Sequence, residues 1–128
     1  MERRMKIILG GRASRKTTKL IQESAETGRR ILTHNKETAR EIWWQAQSLG
    51  YDIPIPLTAM DLKPGTRAEI KKQGILIDDI ETTLSALCGA TVHTATYKCE
   101  DTPLITIDSQ GNMKMFYKGE VNECKENQ

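Results

Sequence analysis

A short apolar run that ends in two glycines and leads into a helical segment constrains this chain more than any other feature. Lys6–Leu9 is almost wholly apolar and is followed directly by Gly10 and Gly11, which is typical of a strand buried on both faces of a parallel sheet. An amphipathic helix pattern then begins at Lys16 and ends at Gly28. The apolar face of this helix comprises Leu20, Ile21, Ser24 and Ala25. The chain therefore opens with a predicted strand, a glycine-containing loop and a helix.

Strand and helix patterns keep alternating through the next part of the chain. Arg30–Thr33 predicts a second strand, and residues 36–49 predict a helix that ends at Gly50. The apolar stripe of that helix consists of Ala39, Ile42, Ala46 and Leu49. The prolines within residues 53–58 allow only an edge strand there, and residues 66–73 predict a short helix.

The alternation continues with an apolar strand over Ile75–Ile77 that ends in two carboxylates, Asp78 and Asp79. A helix over residues 81–87, stopped by Gly89, follows this strand. Strands that alternate with helices predict an α/β fold in three layers, with helices on both faces of a parallel sheet.

The last part of the chain has a different pattern. Leu104–Ile107 and Met113–Tyr117 flank a turn-forming segment, Ser109–Asn112, which predicts an antiparallel hairpin over about residues 103–118. Residues 119–128 form a polar tail. Because 128 residues are enough for one core and too few for two, we expect a single domain over residues 1–128, with a core over about 5–107.

Composition excludes several classes of protein. Apolar residues are 38% and charged residues 28% of the chain, and the net charge is +2, so the chain is neither disordered nor strongly basic. No apolar run approaches the roughly 20 residues that span a bilayer, and the first residues lack the apolar stretch of a secretory signal. The three cysteines are far apart, which disfavours a disulfide framework or a zinc site. We therefore expect a cytoplasmic protein without a membrane partner.

The loop after the first predicted strand nearly matches the phosphate-binding pattern G-x-x-x-x-G-K-[ST]. In that pattern, backbone N–H groups and the positive end of a helix hold a phosphate. Lys16 would reach the β- and γ-phosphates, and the Thr17 hydroxyl would bind Mg²⁺. The predicted nucleotide-binding residues are Gly10, Gly11, Arg12, Ala13, Ser14, Arg15, Lys16, Thr17 and Thr18. The alternative interpretation is a basic, glycine-containing turn between a strand and a helix.

One position departs from this pattern, because Arg15 stands where the second glycine is expected. Glycine there allows a backbone conformation and a close approach of the phosphate that a Cβ atom obstructs. The arginine either clashes with a phosphate or adds a second cation to it.

The acids that end the third strand complete the predicted site. Parallel strands bring their carboxyl ends to one edge of the sheet, where a phosphate loop also lies. Asp78 would hold Mg²⁺ through a water molecule, and Asp79 would orient or deprotonate the attacking water. The alternative is two solvated acids at the start of a helix, where the helix dipole favours them.

These motifs resemble those of compact P-loop ATPases of the helicase and terminase type, and especially of small P-loop proteins encoded by phages of Gram-positive bacteria. GGRASRKTT is similar to the GGRxSGKTT loops of that group, and ILTHNKETAREI resembles the segment that follows the loop in superfamily 1 helicases. The resemblance covers about residues 5–88. It implies a P-loop NTPase-like fold, ATP and Mg²⁺ as cofactors, Thr17 and Asp78 as metal ligands, and Lys16 and Asp79 as catalytic residues.

The resemblance also implies that Thr33 and Asn35 lie near single-stranded DNA, and that a phage-encoded chain would act in the host cytoplasm. The length leaves no room for a second motor domain, and no arginine finger is recognisable. The favoured function is therefore an ATP-binding accessory protein with weak or partner-dependent hydrolysis. The alternatives are a degenerate P-loop scaffold that binds another protein, such as an anti-defence factor, and a single-stranded nucleic-acid binder.

Two tryptophans and two histidines complete the set of candidate residues. Helical spacing places Trp43 beside the apolar stripe and Trp44 away from it, so Trp44 is expected in an interface with a protein partner or a second copy. Base stacking on Trp44 is the less favoured alternative. His34 and His93 stand apart from other ligand types and are interpreted as ordinary polar residues.

Overall fold

The computed structural model describes residues 5–11, 15–99 and 102–116. In chain order, the helices and strands are α1 Lys16–Thr27, β1 Arg30–Thr33, α2 Lys36–Leu49, β2 Leu57–Thr58, a 3-10 helix Ala59–Asp61, α3 Pro64–Gln73, β3 Ile75–Ile77, α4 Ile80–Cys88, β4 Leu104–Ile107 and β5 Met113–Phe116. The chain forms two compact units, residues 1–94 and residues 95–128.

The first unit is built on a three-stranded parallel sheet with the strand order β2-β1-β3. Leu32 in the central strand pairs with Leu57 of β2, and Ile31 pairs with Leu76 of β3. The ladder continues one step past β3, because the Asp78 backbone N–H donates to the Leu32 carbonyl at 3.0 Å. The carboxyl ends of β1 and β3 therefore lie side by side.

Apolar side chains from the first two helices and the sheet form the core of this unit. Its buried members are Ile21, Ile31, Ile42, Ala46, Ile53 and Leu76. Ile21 is on the predicted apolar face of α1, while Ile42 and Ala46 belong to the predicted stripe of α2. The helical spacing in the sequence therefore identified the faces of α1 and α2 that enter the core.

The ends of these helices follow from local sequence. α2 begins at Asn35, whose side-chain Oδ1 accepts from the Thr38 backbone N–H at 2.8 Å, and such a cap satisfies a donor that the helix itself leaves unpaired. α1 and α2 end at Gly28 and Gly50, with φ values of 77° and 82°. Glycine adopts this left-handed conformation without the steric cost of a Cβ atom.

The α/β class, the parallel sheet and the edge position of β2 agree with the sequence-based expectations. The strand expected at Lys6–Leu9 is wrong. This segment is irregular, and Ile7 and Leu9 are 45% and 68% exposed. Because β2 and β3 already occupy both edges of β1, the segment could extend the sheet only at an outer edge, and it pairs with neither. Lys6 instead forms an ion pair with Glu23 of α1 at 2.7 Å.

One member of the α2 stripe is also placed differently from the expectation. Leu49, the last residue of the helix, is exposed. Ile53 is buried in the core just beyond the helix end, and Tyr51 packs against that core. The buried part of the apolar stripe therefore ends before the helix does.

The second unit contains the predicted hairpin, in which β4 and β5 pair antiparallel with Leu104 opposite Phe116. The Asp108 carboxylate holds the turn by accepting from the backbone N–H groups of Gln110 and Asn112, each at 2.9 Å. Tyr117 and the predicted polar tail, residues 119–128, lie outside the described residues.

Within the described part of the chain, the helices are too short or too polar to cross a lipid bilayer.

Candidate functional site

The amino terminus of α1 has an unusual backbone conformation. Arg15 is the N-cap residue, with φ 66° and ψ 31°, and its side chain makes no capping hydrogen bond. These angles lie in the left-handed region, which disfavours residues other than glycine, asparagine and aspartate. The backbone therefore has a glycine-like conformation at the position where the phosphate-loop pattern expects glycine.

The predicted loop is only partly described. Lys16 Nζ donates to the Gly11 carbonyl at 2.6 Å, so the predicted phosphate-binding lysine lies against the glycine pair that begins the loop. Residues Arg12, Ala13 and Ser14 lie outside the described residues, and their assignment to a nucleotide site stays a prediction.

A contact between α1 and the end of β3 forms the centre of the site. Thr17 Oγ1 donates to Asp78 Oδ1 at 3.2 Å. These two residues, predicted as the metal ligands, are 61 positions apart in sequence. The fold brings them together because α1 begins near the edge of the sheet at which β3 ends.

The Asp78 carboxyl is partly withdrawn from solvent. Burial raises the pKa of Asp78 above its ordinary value, while the hydrogen bond from Thr17 opposes this shift. The neighbouring Asp79 also raises the pKa of Asp78, whereas His34 lowers it. A cation beside Asp78 would favour its charged form, which the free protein stabilises only in part.

Asp79, which is predicted to orient or deprotonate a water molecule, caps α4. Its Oδ1 accepts from the Thr82 backbone N–H at 3.3 Å, and its Oδ2 accepts from Thr82 Oγ1 at 3.0 Å. Its backbone lies in the left-handed region, with φ 55°. Each carboxylate oxygen thus accepts one hydrogen bond from the first turn of α4 and keeps a further lone pair. The catalytic role of Asp79 stays a prediction.

Thr18, the last residue of the predicted loop, joins two helices. Its Oγ1 accepts from Gln45 Nε2 of α2 at 3.1 Å. This hydroxyl therefore has a structural partner, and the nucleotide-binding role predicted for Thr18 stays a prediction.

Sequence reasoning did not place two polar side chains beside Asp78 at this edge of the sheet. Thr33, at the end of β1, is 0% exposed, and its Oγ1 has no hydrogen-bond partner. His34 follows directly, and its Nδ1 is also buried without a partner. The sequence could have indicated this placement, because both residues come at the carboxyl end of the predicted strand β1. In a parallel sheet that end lies beside the end of β3, where Asp78 is. Chain spacing alone classified His34 as an ordinary polar residue.

The resemblance to helicases implied that Thr33, at the end of β1, and Asn35, just beyond it, lie near single-stranded DNA. The structure gives both side chains other surroundings. Thr33 is completely buried, and Asn35 caps α2. The Thr33 hydroxyl is therefore not presented at the surface and Asn35 Oδ1 is engaged, and the contact with single-stranded DNA stays a prediction.

The donor set fits a hard divalent cation. Mg²⁺ binds oxygen ligands and is commonly held by one or two carboxylates together with substrate phosphates and water. Thr17 and Asp78 supply one hydroxyl and one carboxylate within hydrogen-bond distance of each other. Across residues 5–11, 15–99 and 102–116, no group of three or more histidine, cysteine, aspartate or glutamate side chains could hold a metal by itself. Any cation here would therefore depend on ligands from a bound phosphate or water.

The two tryptophans of α2 differ in burial as the helical spacing predicts. Trp44 is 64% exposed, whereas Trp43 is half-buried and packs against the core.

Comparisons of the chain with models of protein families, with curated proteins and with solved structures found no significant match.

Proposed function

We propose that this protein binds a nucleoside triphosphate, ATP, together with Mg²⁺ at the amino terminus of α1. The observation that supports this proposal best is the 3.2 Å contact between Thr17 and Asp78. It places a hydroxyl from the start of a helix beside a carboxylate from the end of a parallel strand, which is the arrangement that Mg²⁺–phosphate sites use. The domain would be a reduced form of the three-layer P-loop fold, without a paired strand at Lys6–Leu9.

Each residue has a distinct part in the proposed site. Thr17 and Asp78 would hold the cation, which neutralises charge on the β- and γ-phosphates. The backbone N–H groups of the first turn and the positive dipole end of α1 would bind a phosphate. Lys16, whose ammonium group now donates to Gly11, would exchange that carbonyl for a phosphate oxygen.

Hydrolysis by the isolated protein would be slow or absent. Asp79 is engaged in capping α4, and no arginine finger is recognisable in the chain. An arginine finger contributes on the order of 10³–10⁵ to the rate in related phosphoryl-transfer proteins. Hydrolysis would therefore be weak or depend on a partner that supplies the missing group. Fast turnover by the isolated wild-type protein, abolished by Lys16→Ala, would contradict this expectation.

Calorimetric titration with ATP, with and without Mg²⁺, tests the binding proposal. We expect wild-type protein to bind ATP more tightly when Mg²⁺ is present, and we expect Lys16→Ala and Asp78→Asn to weaken binding about tenfold or more, because each removes a charge-assisted contact. Lys71→Ala and Asp52→Asn are the matched controls, since they remove the same charges at exposed positions outside α1 and β3 and should bind normally. Equal loss of binding in the controls, or no binding by the wild type, would contradict the proposal.

A second candidate function, as a degenerate scaffold that binds another protein, is favoured by the exposure of Trp44. A large apolar side chain that is 64% exposed on a helix is typical of a surface that a partner covers. The strained N-cap at Arg15 and the engaged carboxylate of Asp79 fit the loss of hydrolysis that this candidate assumes.

A further inference from the structure

Two buried polar atoms without partners occur together at the end of β1. Thr33 Oγ1 and His34 Nδ1 are the buried side-chain nitrogen or oxygen atoms of the described residues that lack a hydrogen-bond partner. Such atoms are rare in folded proteins, because a buried polar group without a partner destabilises the folded state. Their occurrence side by side suggests a ligand that the free protein does not supply.

Both residues lie close to the Asp78 carboxyl. His34 and the Thr33 hydroxyl both lower the pKa of Asp78, as groups close to its carboxyl do. The Thr33 hydroxyl nevertheless falls short of hydrogen-bond geometry with any partner. The parallel pairing of β1 with β3 explains this convergence, since the Asp78 N–H continues the ladder to Leu32. A hydroxyl, an imidazole nitrogen and a carboxylate therefore lie near one another at this edge of the sheet.

The chemistry of these three groups fits a water molecule. A buried water typically makes two to four hydrogen bonds and needs both donors and acceptors around it. A threonine hydroxyl donates and accepts, a carboxylate accepts, and an imidazole nitrogen does either according to its tautomer.

We propose that Thr33 and His34 are positioning residues that hold a water molecule beside Asp78 when the hydrated cation and nucleotide bind. This inference rests on the proposed function, because the water is expected to enter with the hydrated cation and the nucleotide. It adds that both polar atoms lack hydrogen bonds in the free protein, which lowers its stability, and gain them when the ligands bind.

A pair of buried threonines provides a matched test in the free protein. Thr33 and Thr83 are 0% and 1% exposed, but the Thr83 hydroxyl donates to the Asp78 carbonyl at 2.6 Å, whereas that of Thr33 has no partner. Valine keeps the shape of threonine and removes the hydroxyl. We expect Thr33→Val to raise the melting temperature of the ligand-free protein and Thr83→Val to lower it. If Thr33→Val also lowers the melting temperature, the hydroxyl is satisfied in the free protein and the proposal is wrong.

Binding provides the second test, with calorimetry of Mg²⁺–ATP as the readout. We expect Thr33→Val to weaken binding about fivefold or more, because the water loses one partner, while Thr33→Ser restores it. For His34, asparagine places a polar atom near the position of Nδ1 and glutamine near that of Nε2. His34→Asn should therefore bind more tightly than His34→Gln or His34→Phe. Equal affinity in all of these folded variants would overturn the proposal.

Nitrogen-15 spectra of the imidazole rings provide a readout that packing alone would not move. The chain contains two histidines, so the exposed His93 serves as an internal reference. We expect Mg²⁺–ATP to shift the Nδ1 signal of His34 and to leave His93 unchanged. An unchanged His34 signal in a saturated complex would overturn the proposal.

The outcomes separate this inference from the proposed function. If the wild type binds Mg²⁺–ATP but Thr33 and His34 variants bind equally well, only the water-positioning role fails. If the wild type does not bind, the proposed function fails and the nucleotide is not what brings the water. In that case the melting temperatures of Thr33→Val and Thr83→Val still decide whether the free protein carries an unsatisfied polar pair.

Discussion

Arg15 and Asp79 are the non-glycine residues in the described part of the chain whose backbone has a positive φ, 66° and 55°. Each is the N-cap of a helix that borders the proposed site, α1 and α4 respectively. Aspartate tolerates this conformation because its side chain bonds locally, as Asp79 does with Thr82. Arginine has no such compensation. Backbone strain that persists without local compensation is typical of functional sites.

Replacing Arg15 with glycine tests this strain. The left-handed conformation destabilises a residue with a Cβ atom by about 1–2 kcal/mol, and glycine removes this strain. The greater freedom of glycine in the unfolded chain offsets about 0.5–1 kcal/mol of the stability gained. We therefore expect Arg15→Gly to stabilise the protein by up to about 1.5 kcal/mol in urea unfolding. Lys19→Gly, an exposed basic residue within α1, should instead destabilise it by about 1 kcal/mol.

A loss of stability in Arg15→Gly equal to that in Lys19→Gly would show that Arg15 is not strained. Titration of Arg15→Gly with Mg²⁺–ATP then resolves the two roles that the sequence left open for this side chain. Tighter binding would mean that the arginine obstructs the loop, and weaker binding would mean that the guanidinium contacts phosphate.

At the scale of elements, α2 begins at Asn35, which caps it through the Thr38 N–H. We expect Asn35→Ala to destabilise the protein by about 1 kcal/mol, because an unpaired donor is left at the helix terminus. Asn35→Ser should be nearly as stable as wild type, since serine also caps helices well. Thermal unfolding measures both variants. Equal stability of wild type and Asn35→Ala would show that the cap is not stabilising and would leave Asn35 available for another role.

The 3-10 helix after β2 depends on one carboxylate. Asp61 Oδ2 accepts from the Thr58 N–H at 2.8 Å and from Thr58 Oγ1 at 3.1 Å. The bond from the Thr58 backbone is the largest cause that lowers the pKa of Asp61 below 3.8. Because the folded-state pKa is lowered, the carboxylate stabilises the fold above the unfolded value and loses that effect as the pH falls through the folded-state pKa.

Thermal unfolding of Asp61→Asn over a range of pH tests this linkage. We expect a lower melting temperature than wild type at neutral pH and a difference that disappears as the pH falls below 3.8. Asp52 is exposed, and Asp52→Asn is the control that should unfold like wild type. A difference between Asp61→Asn and wild type that does not change with pH would exclude an electrostatic cause.

At the scale of the whole molecule, the exposed ring of Trp44 predicts association. We expect Trp44→Ala to leave the melting temperature of the monomer nearly unchanged and to weaken self-association or partner binding, because its ring is largely outside the core. Trp43→Ala should destabilise the monomer, by less than the about 3–5 kcal/mol of a fully buried tryptophan, since Trp43 is only half-buried. Sedimentation velocity and thermal unfolding measure the two effects.

The opposite result, with Trp44→Ala unfolding early and associating normally, would place the ring in a packed environment and remove the basis for the interface. The second candidate function would lose its principal support with it.

Much of the fold followed from the sequence because the signals were local. The apolar spacing of α1 and α2, the glycines at their ends, and the prolines that confine β2 to an edge each act within a few residues. The approach of Thr17 to Asp78 was also predictable, through the rule that parallel strands deliver their carboxyl ends to one edge of a sheet.

The cap that Asp79 makes on α4 is also local, since it joins residues three positions apart, and the sequence offered it as the alternative. Tertiary structure alone decided two further features. The run Lys6–Leu9 has the composition of a buried strand, but whether a run pairs depends on the rest of the molecule, and this run pairs with neither outer edge of the sheet. Thr33 and His34 look ordinary in the sequence, since burial and the lack of a hydrogen-bond partner are properties of the packed neighbourhood and not of the residue.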